Sequence, residues 1–479
     1  MKKEELFEAL EGIDASAVKK AKEYRAHKTP AWVKWTAIAA CAAILIAAVV
    51  GIPALKKGAQ GAYPAGIRTV LAAYPAPIAA SLGAQDFLEG DAHSQWLAAY
   101  KTKVTESKAL QSGIDGYYAA IMQNVLIAKD ENTVCSPINI YIAFAMLAEV
   151  SGGNTRQQVL DMLGAPDMDT LRSSVTALWE SNYVDTPVLK SLLANSLWLR
   201  DSVQYDRKTL NRLAEQYYAS SFCGTPGSQE MDEALRTWTD ANTGGLLSEH
   251  VKDLSLDPNT VLAIVSTIYY KAQWTERFPS SRTTQEVFHG TAGDATVDMM
   301  HKTDTLRAYQ TDTFTSVGLG LKDSGAMYFV LPKEGVDVNA LVSDPALFAA
   351  TGTSWDDENW SRPLVHLSIP KFKVSAQTDL SMAARALGLT DAFEPGLADF
   401  SPLATGRDGI YLSKAEHAAM VEIDEQGVSG AAYTALDMPD AAEDIPPNEL
   451  DFVLDRPFLY IVTGRDGSIL FSGIVRNID

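Results

Sequence analysis

The sequence predicts one large α+β domain preceded by a single transmembrane helix. Three observations carry that prediction. Amphipathic and apolar segments with helical spacing dominate the first part of the chain. β-branched and aromatic runs of strand length dominate the second part. An uncharged apolar stretch of 21 residues stands near the N-terminus.

That stretch, WTAIAACAAILIAAVVGIPAL over residues 35–55, would span roughly 30 Å as a helix, the thickness of a bilayer's hydrocarbon core. Residues 1–34 hold eight Lys or Arg, whereas the far flank opens with Lys56 and Lys57. The positive-inside rule then keeps 1–34 in the cytosol and sends the remainder outside. Two readings compete with this anchor. A cleaved signal would release the domain into the medium, although 34 residues make a long charged head. The string Ile38–Cys41 resembles a lipoprotein cleavage box, but few apolar residues precede it. The head itself places Leu6, Leu10, Ile13, Val18 and Ala21 at roughly helical spacing. Residues 56–104, rich in Ala, Gly and Pro, read as a spacer, and 105–479 as the domain.

Within 105–479, YYAAIMQNVLIAK, SPINIYIAFAMLAEV and TRQQVLDMLG read as helices, the second opened by a Ser-Pro step. VLAIVSTIYY, AMYFVLPK, VHLSIPKFKV, FLYIVT and SILFSGIV read as buried strands. The apolar fraction of 47% supports a large core. A formal charge of −20 offers no basic surface to nucleic acid. Cys41, Cys135 and Cys223 lie far apart, giving neither a disulfide framework nor a zinc site. The seven histidines show no i, i+4 pair. Neither a nucleophile elbow nor a phosphate-binding loop occurs, so no enzyme chemistry and no cofactor are expected.

One segment is contradictory. EQGVSGAAYTALDMPDAAEDIPP, from Glu425 to Pro447, is loop-like and acidic in its second half, yet its first half alternates like a strand. Val428, Gly430, Ala432, Thr434 and Leu436 would share one face, free of charge and proline.

Read in order, several segments resemble the serpin family over essentially all of 105–479. They are SPINIYIAFAMLAEVSGGNTRQQVLDMLG, LLANSLWLR, WTDANTGGLL, VLAIVSTIYYKAQWTERF, IPKFKVSAQTDLSMAARALGLTDAF, ADFSPL, LSKAEHAAMVEIDEQG, and RPFLYIV with GSILFSGIV. The resemblance implies three β-sheets, eight or nine helices and an exposed reactive-centre loop over Gly427 to about Ala442. It implies a monomer that offers this loop to a serine protease. After cleavage the loop enters the main sheet as a strand, and the acyl-enzyme is trapped.

The contradictory segment then has a reason. Its inward face carries no charge, and an unpaired charge buried there would cost several kcal/mol. Gly427 is expected to lend the hinge backbone freedom. Tyr433 is bulkier than the family's usual small residue, but its parity points it outward. The resemblance sets the scissile bond at Ala441–Ala442, with a shift inside Met438–Glu443 left open. Alanine on both sides points to a protease with a small primary pocket, elastase- or subtilisin-like. Ser136, Asn139, Ser266 and His417 resemble the polar shutter beneath the sheet, with serine and asparagine exchanged between positions 139 and 266. A compensated swap around His417 is the expectation. Trp274, Lys371 and Glu425 match the breach where the loop first enters, and a Lys371–Glu425 ion pair is expected. Ala418 stands where the family commonly has lysine. The competing functions are a non-inhibitory serpin serving as a binding or structural module, and a trap for cysteine proteases. The single anchor and the lack of disulfides suggest a bacterial cell surface.

Overall fold

In the computed structural model, seven strands in the order β1-β3-β2-β4-β7-β6-β5 form the main sheet. They are β1 Arg68–Leu71, β2 Leu189–Arg200, β3 Ala219–Gly224, β4 Leu262–Gln273, β5 Phe372–Asp379, β6 Glu416–Ile423 and β7 Gly427–Val428. An eighth, Val184–Asp185, pairs with β2 off this path. The structure describes residues 63–64, 66–71, 91–111, 113–128, 130–186, 188–245, 251–352, 357–404, 410–412, 415–428 and 448–478. The head 1–34, the apolar stretch 35–55 and the loop residues Gly430, Ala432, Thr434, Leu436, Ala441 and Ala442 lie outside them. Among the described residues no helix is long and apolar enough to cross a membrane.

Two further sheets complete the β-structure. One has seven strands and includes Ala326–Pro332, Phe458–Thr463 and Ile469–Val475, three of the runs expected as strands. The other has four strands, with Leu364–Pro370 between Glu449–Val453 and Gly293–Thr305. The single run VHLSIPKFKV is thus two strands of different sheets. It breaks at Lys371, where Leu364–Pro370 leaves the four-stranded sheet and β5 enters the main one.

Eight α-helices are described. Four matter below: α1 Asp91–Leu110, α2 Pro137–Val150, α3 Met168–Asn182 and α4 Gln229–Asn242. Helix α2 starts where the Ser-Pro step predicts, with Ser136 at the N-cap and proline in the first turn. It is apolar on every side and almost wholly buried, as a central core helix must be. It packs against β4 on one side and Ile469–Val475 on the other. Helix α4 covers the opposite face of the main sheet, where Leu235 and Trp238 pack over Trp198 and Phe222.

Residues 56–104, expected as a spacer, contribute two elements to this structure. Helix α1 begins at Asp91 and buries Trp96, Tyr100 and Val104, a stripe at four-residue spacing, against α3. The rings of Trp96 and Tyr100 stack 4.8 Å apart. Strand β1 closes the edge of the main sheet by pairing antiparallel with β3, and Tyr63 meets the ring of Phe222 edge-on. The Ala, Gly and Pro content around these elements masks both signals. The domain structure therefore starts well before residue 105.

Candidate functional site: a slot in the main sheet

The main sheet has two halves, β1-β3-β2-β4 and β6-β5, and among the described residues the two-residue strand β7 joins them. Val428 pairs with Ile423 of β6 on one side and with Ala272 of β4 on the other, and Gly427 pairs with Gln273. Below Val428, the described residues of β4 and β6 form no ladder with each other. A cleft of about 180 Å³ opens between them, lined by Ile264, Ser266 and Thr267 of β4 and by His417 and Ala418 of β6. Phe144 and Leu147 of α2 line it from the core side, and Leu235 and Thr239 of α4 from the outer side. Two strands of one sheet that separate in this way leave backbone donors and acceptors available to a further strand.

At the mouth of this slot the residues expected at the breach come together. Trp274 is buried, and its indole Nε1 donates to the Asp424 carbonyl at 2.9 Å. Its backbone N donates to the Gln426 carbonyl at 3.0 Å. Lys371 Nζ lies 2.8 Å from Glu425 Oε1, forming the expected ion pair, and Thr283 Oγ1 donates to the same oxygen at 2.8 Å. Burial raises the Glu425 pKa, but these hydrogen bonds outweigh it and hold the carboxyl below its ordinary range. The hydrogen bond to Glu425 correspondingly raises Lys371. The turn that follows β6 and leads into the loop is thus clamped at Glu425.

Gly427 is required here by close packing as well as by the freedom anticipated above, since its φ lies at +159°. A Cβ at this position would lie 2.0 Å from the Ala272 carbonyl oxygen and 2.8 Å from Gln273 Cα. Close approach of two backbones, added to that dihedral angle, demands glycine. Just before it, Asp424 Oδ1 accepts from Gln426 N at 2.7 Å and from Gly427 N at 3.2 Å, so the chain reverses through an Asx-type turn. The Asp-x-x-Gly spacing carries that signal in the sequence. Thr283 has no comparable signal, because it meets Glu425 only through folding.

Of the expected shutter residues, Ser266 and His417 line the slot and Ser136 meets His417. His417 is 5% exposed, and its Nε2 accepts from the backbone N of Ser136 at 2.9 Å. An accepting Nε2 leaves the proton on Nδ1 of a neutral ring. Burial pushes this imidazole down to about 4. The exchange of serine and asparagine does not, however, rebuild a side-chain network around His417. Ser136 Oγ, Asn139 Oδ1 and Ser266 Oγ are buried without a protein hydrogen-bond partner. The reason is geometric: the histidine spends its acceptor on a backbone amide, and Ser266 lies across the slot on β4. The buried thiols Cys135 and Cys223 are free, as read from their spacing.

Comparisons with known proteins bear on the whole assembly. The family model described as Serpin (serine protease inhibitor) matches residues 115–478. The chain is 28% identical over 400 residues to serpin-Z2A of Oryza sativa subsp. japonica, covering 74% of this chain and 93% of that protein. It is 28% identical over 374 residues to human (Homo sapiens) serpin B9, with 76% and 98% covered. It is 27% identical over 400 residues to plasminogen activator inhibitor 1 of Bos taurus, with 77% and 92% covered. Among solved structures, the thermophilic serpin tengpin in its native state superposes with a TM-score of 0.69 at 20% identity, over 86% of this chain and 100% of that one. The native stressed conformation of Arabidopsis AtSerpin1 gives 0.64 at 26% identity, over 78% and 98%.

Proposed function

Because the chain belongs to the serpin family, whose members are in general protease inhibitors rather than enzymes, we propose that it is an inhibitory member acting by loop cleavage and strand insertion. In this reading the loop over Gly427 to about Ala442 is offered as bait and cut at Ala441–Ala442 or a neighbouring bond within Met438–Glu443. The upstream half then runs down the slot as a new strand while the acyl-enzyme remains attached. The observation that carries the reading is the seating of Gly427–Val428 between β4 and β6 above an open cleft.

Register arithmetic supports it. Each further loop residue steps one residue back along both β4 and β6. Starting from Val428 opposite Ala272 and Ile423, Gly430 would meet Tyr270 and Val421, and Ala432 would meet Ile268 and Ala419. Thr434 would meet Ser266 and His417, and Leu436 would meet Ile264 and Ala415. The inserting face is small or apolar along its length, and its one hydroxyl arrives level with the shutter. Insertion would add ladder hydrogen bonds and close the cleft.

The target belongs to the same proposal. Alanine at both candidate positions fits a serine protease with a small primary pocket, elastase- or subtilisin-like, and the neighbouring carboxylates oppose an acidic cleft. We place the domain outside a bacterial cell membrane, held by residues 35–55 as a single span, with release by signal cleavage as the alternative. A cysteine protease caught by the same loop, or a binding module that inhibits nothing, would be the other outcomes. The test is to incubate the full-length protein with proteases of each class and resolve the mixture on a denaturing gel. A covalent, SDS-stable complex with an elastase- or subtilisin-like enzyme is expected. Clean nicking of the loop by proteases that stay fully active would refute the inhibitory reading.

A further inference from the structure

On the outer face of the main sheet the apolar packing is divided. One cluster gathers Trp198, Phe222, Leu235 and Trp238, with Ala263 and Val265 of β4 against it. A second holds Met420 and Ala418 of β6. The slot separates them, and half-buried Leu254, in the segment that follows α4, touches both. Thr239 of α4 lines the same cleft at 4% exposure, and its Oγ1 is buried without a protein partner. The outer side of the slot is thus an unfilled apolar seat with one orphaned hydroxyl.

We propose that this seat takes Tyr433 of the inserted loop. The proposal rests on the insertion reading above and adds the residue that anchors the new strand. From the pairing at Val428, five steps along the loop bring residue 433 level with Thr267 of β4 and Ala418 of β6. Both line the cleft. Its parity is opposite to that of Val428, so its ring faces α4 and Leu254 rather than the core. Most of its neighbours on that face would be too short to fill the space: Ala431 and Ala435 flank it on the loop. A tyrosine supplies both missing parts, an aromatic body to join the two clusters and a hydroxyl for Thr239. Ala418 is the complementary half of the device, because any long side chain there would occupy the seat. The two departures from the family pattern, a bulky residue at 433 and a small one at 418, become one feature.

The experiment compares intact and loop-nicked full-length protein in mild detergent, reading the guanidinium midpoint of unfolding. Nicking should raise the midpoint of the wild type, which reports insertion itself. Tyr433→Ala should leave the intact midpoint unchanged and reduce that gain, and Tyr433→Phe should reduce it by less than Tyr433→Ala. Ala418→Lys should raise the moles of inhibitor consumed per mole of protease several-fold, and adding Tyr433→Ala should reverse part of that rise. If Tyr433→Ala gains as much as the wild type on nicking, the seat is wrong while insertion stands. If the wild type gains nothing, the insertion reading fails first.

Discussion

Acidification should destabilise this domain through one buried imidazole. His417 titrates at about 4 in the folded protein and near 6.5 in an unfolded chain. Above pH 6.5 the ring is neutral in both states and nothing is lost. As the pH falls from 6.5 toward 4, the unfolded chain takes up a proton that the folded one refuses, so stability drops throughout that window. Below about 4 both states are protonated and the loss levels off. A gap of about 2.5 pH units at about 1.4 kcal/mol per unit gives a total of about 3–4 kcal/mol, of which about 3 kcal/mol is lost by pH 4. The perturbation is His417→Gln, which removes the titrating ring. The glutamine Oε1 can still accept from the Ser136 amide, but the variant should be less stable at pH 7 because the packing of the buried ring is lost. What isolates the histidine is therefore the slope and not the level. Denaturant unfolding from pH 7 to 4 should show the wild type losing about 3 kcal/mol more than the variant. The Glu425 carboxyl, held low beside Lys371, weakens both proteins alike as the pH falls below its ordinary range near 4.5. Parallel pH profiles for the two proteins would refute the assignment of a neutral, proton-refusing His417.

Two substitutions at the hinge complete the tests. Gly427→Ala must separate β7 from β4, because its Cβ would fall 2.0 Å from the Ala272 carbonyl oxygen. It should lower the unfolding midpoint of the intact protein and divert protease encounters toward simple loop cleavage; a variant of unchanged stability and inhibition would show that the backbones are not so closely apposed. Val428→Arg sets a charge where the valine is 2% exposed, a burial worth several kcal/mol when unpaired. The expected result is conversion from inhibitor to substrate on a denaturing gel, and persistent covalent complexes would overturn the inward assignment of Val428.

Much of this molecule is legible before folding is considered, where the signal is local or periodic. Helix α2 announces itself through the Ser-Pro step and an unbroken apolar run, and β4 through its β-branched and aromatic content. The alternation from Val428 to Leu436 depends only on a two-residue period. Helix α1 shows the limit of composition. Its four-residue stripe of Trp96, Tyr100 and Val104 is present in the sequence, but the alanine-rich surroundings hide it, and its meaning depends on α3. The break at Lys371 is hidden for another reason. Two buried strands in succession have the same apolar character, and which sheet each joins is settled by distant partners, Gly293–Thr305 and β6.

The sequence by itself determined the α+β class, the family and the pattern of the loop that could become a strand, because helix stops, strand alternation and motif order are written along the chain. Only the tertiary structure decided where that strand would go. The separation of β4 from β6, the backbone contact that makes Gly427 obligatory, the single acceptor His417 offers to Ser136, and the divided apolar face awaiting Tyr433 all join residues far apart in sequence. Their relations are distances and registers, which no local pattern of residue types encodes.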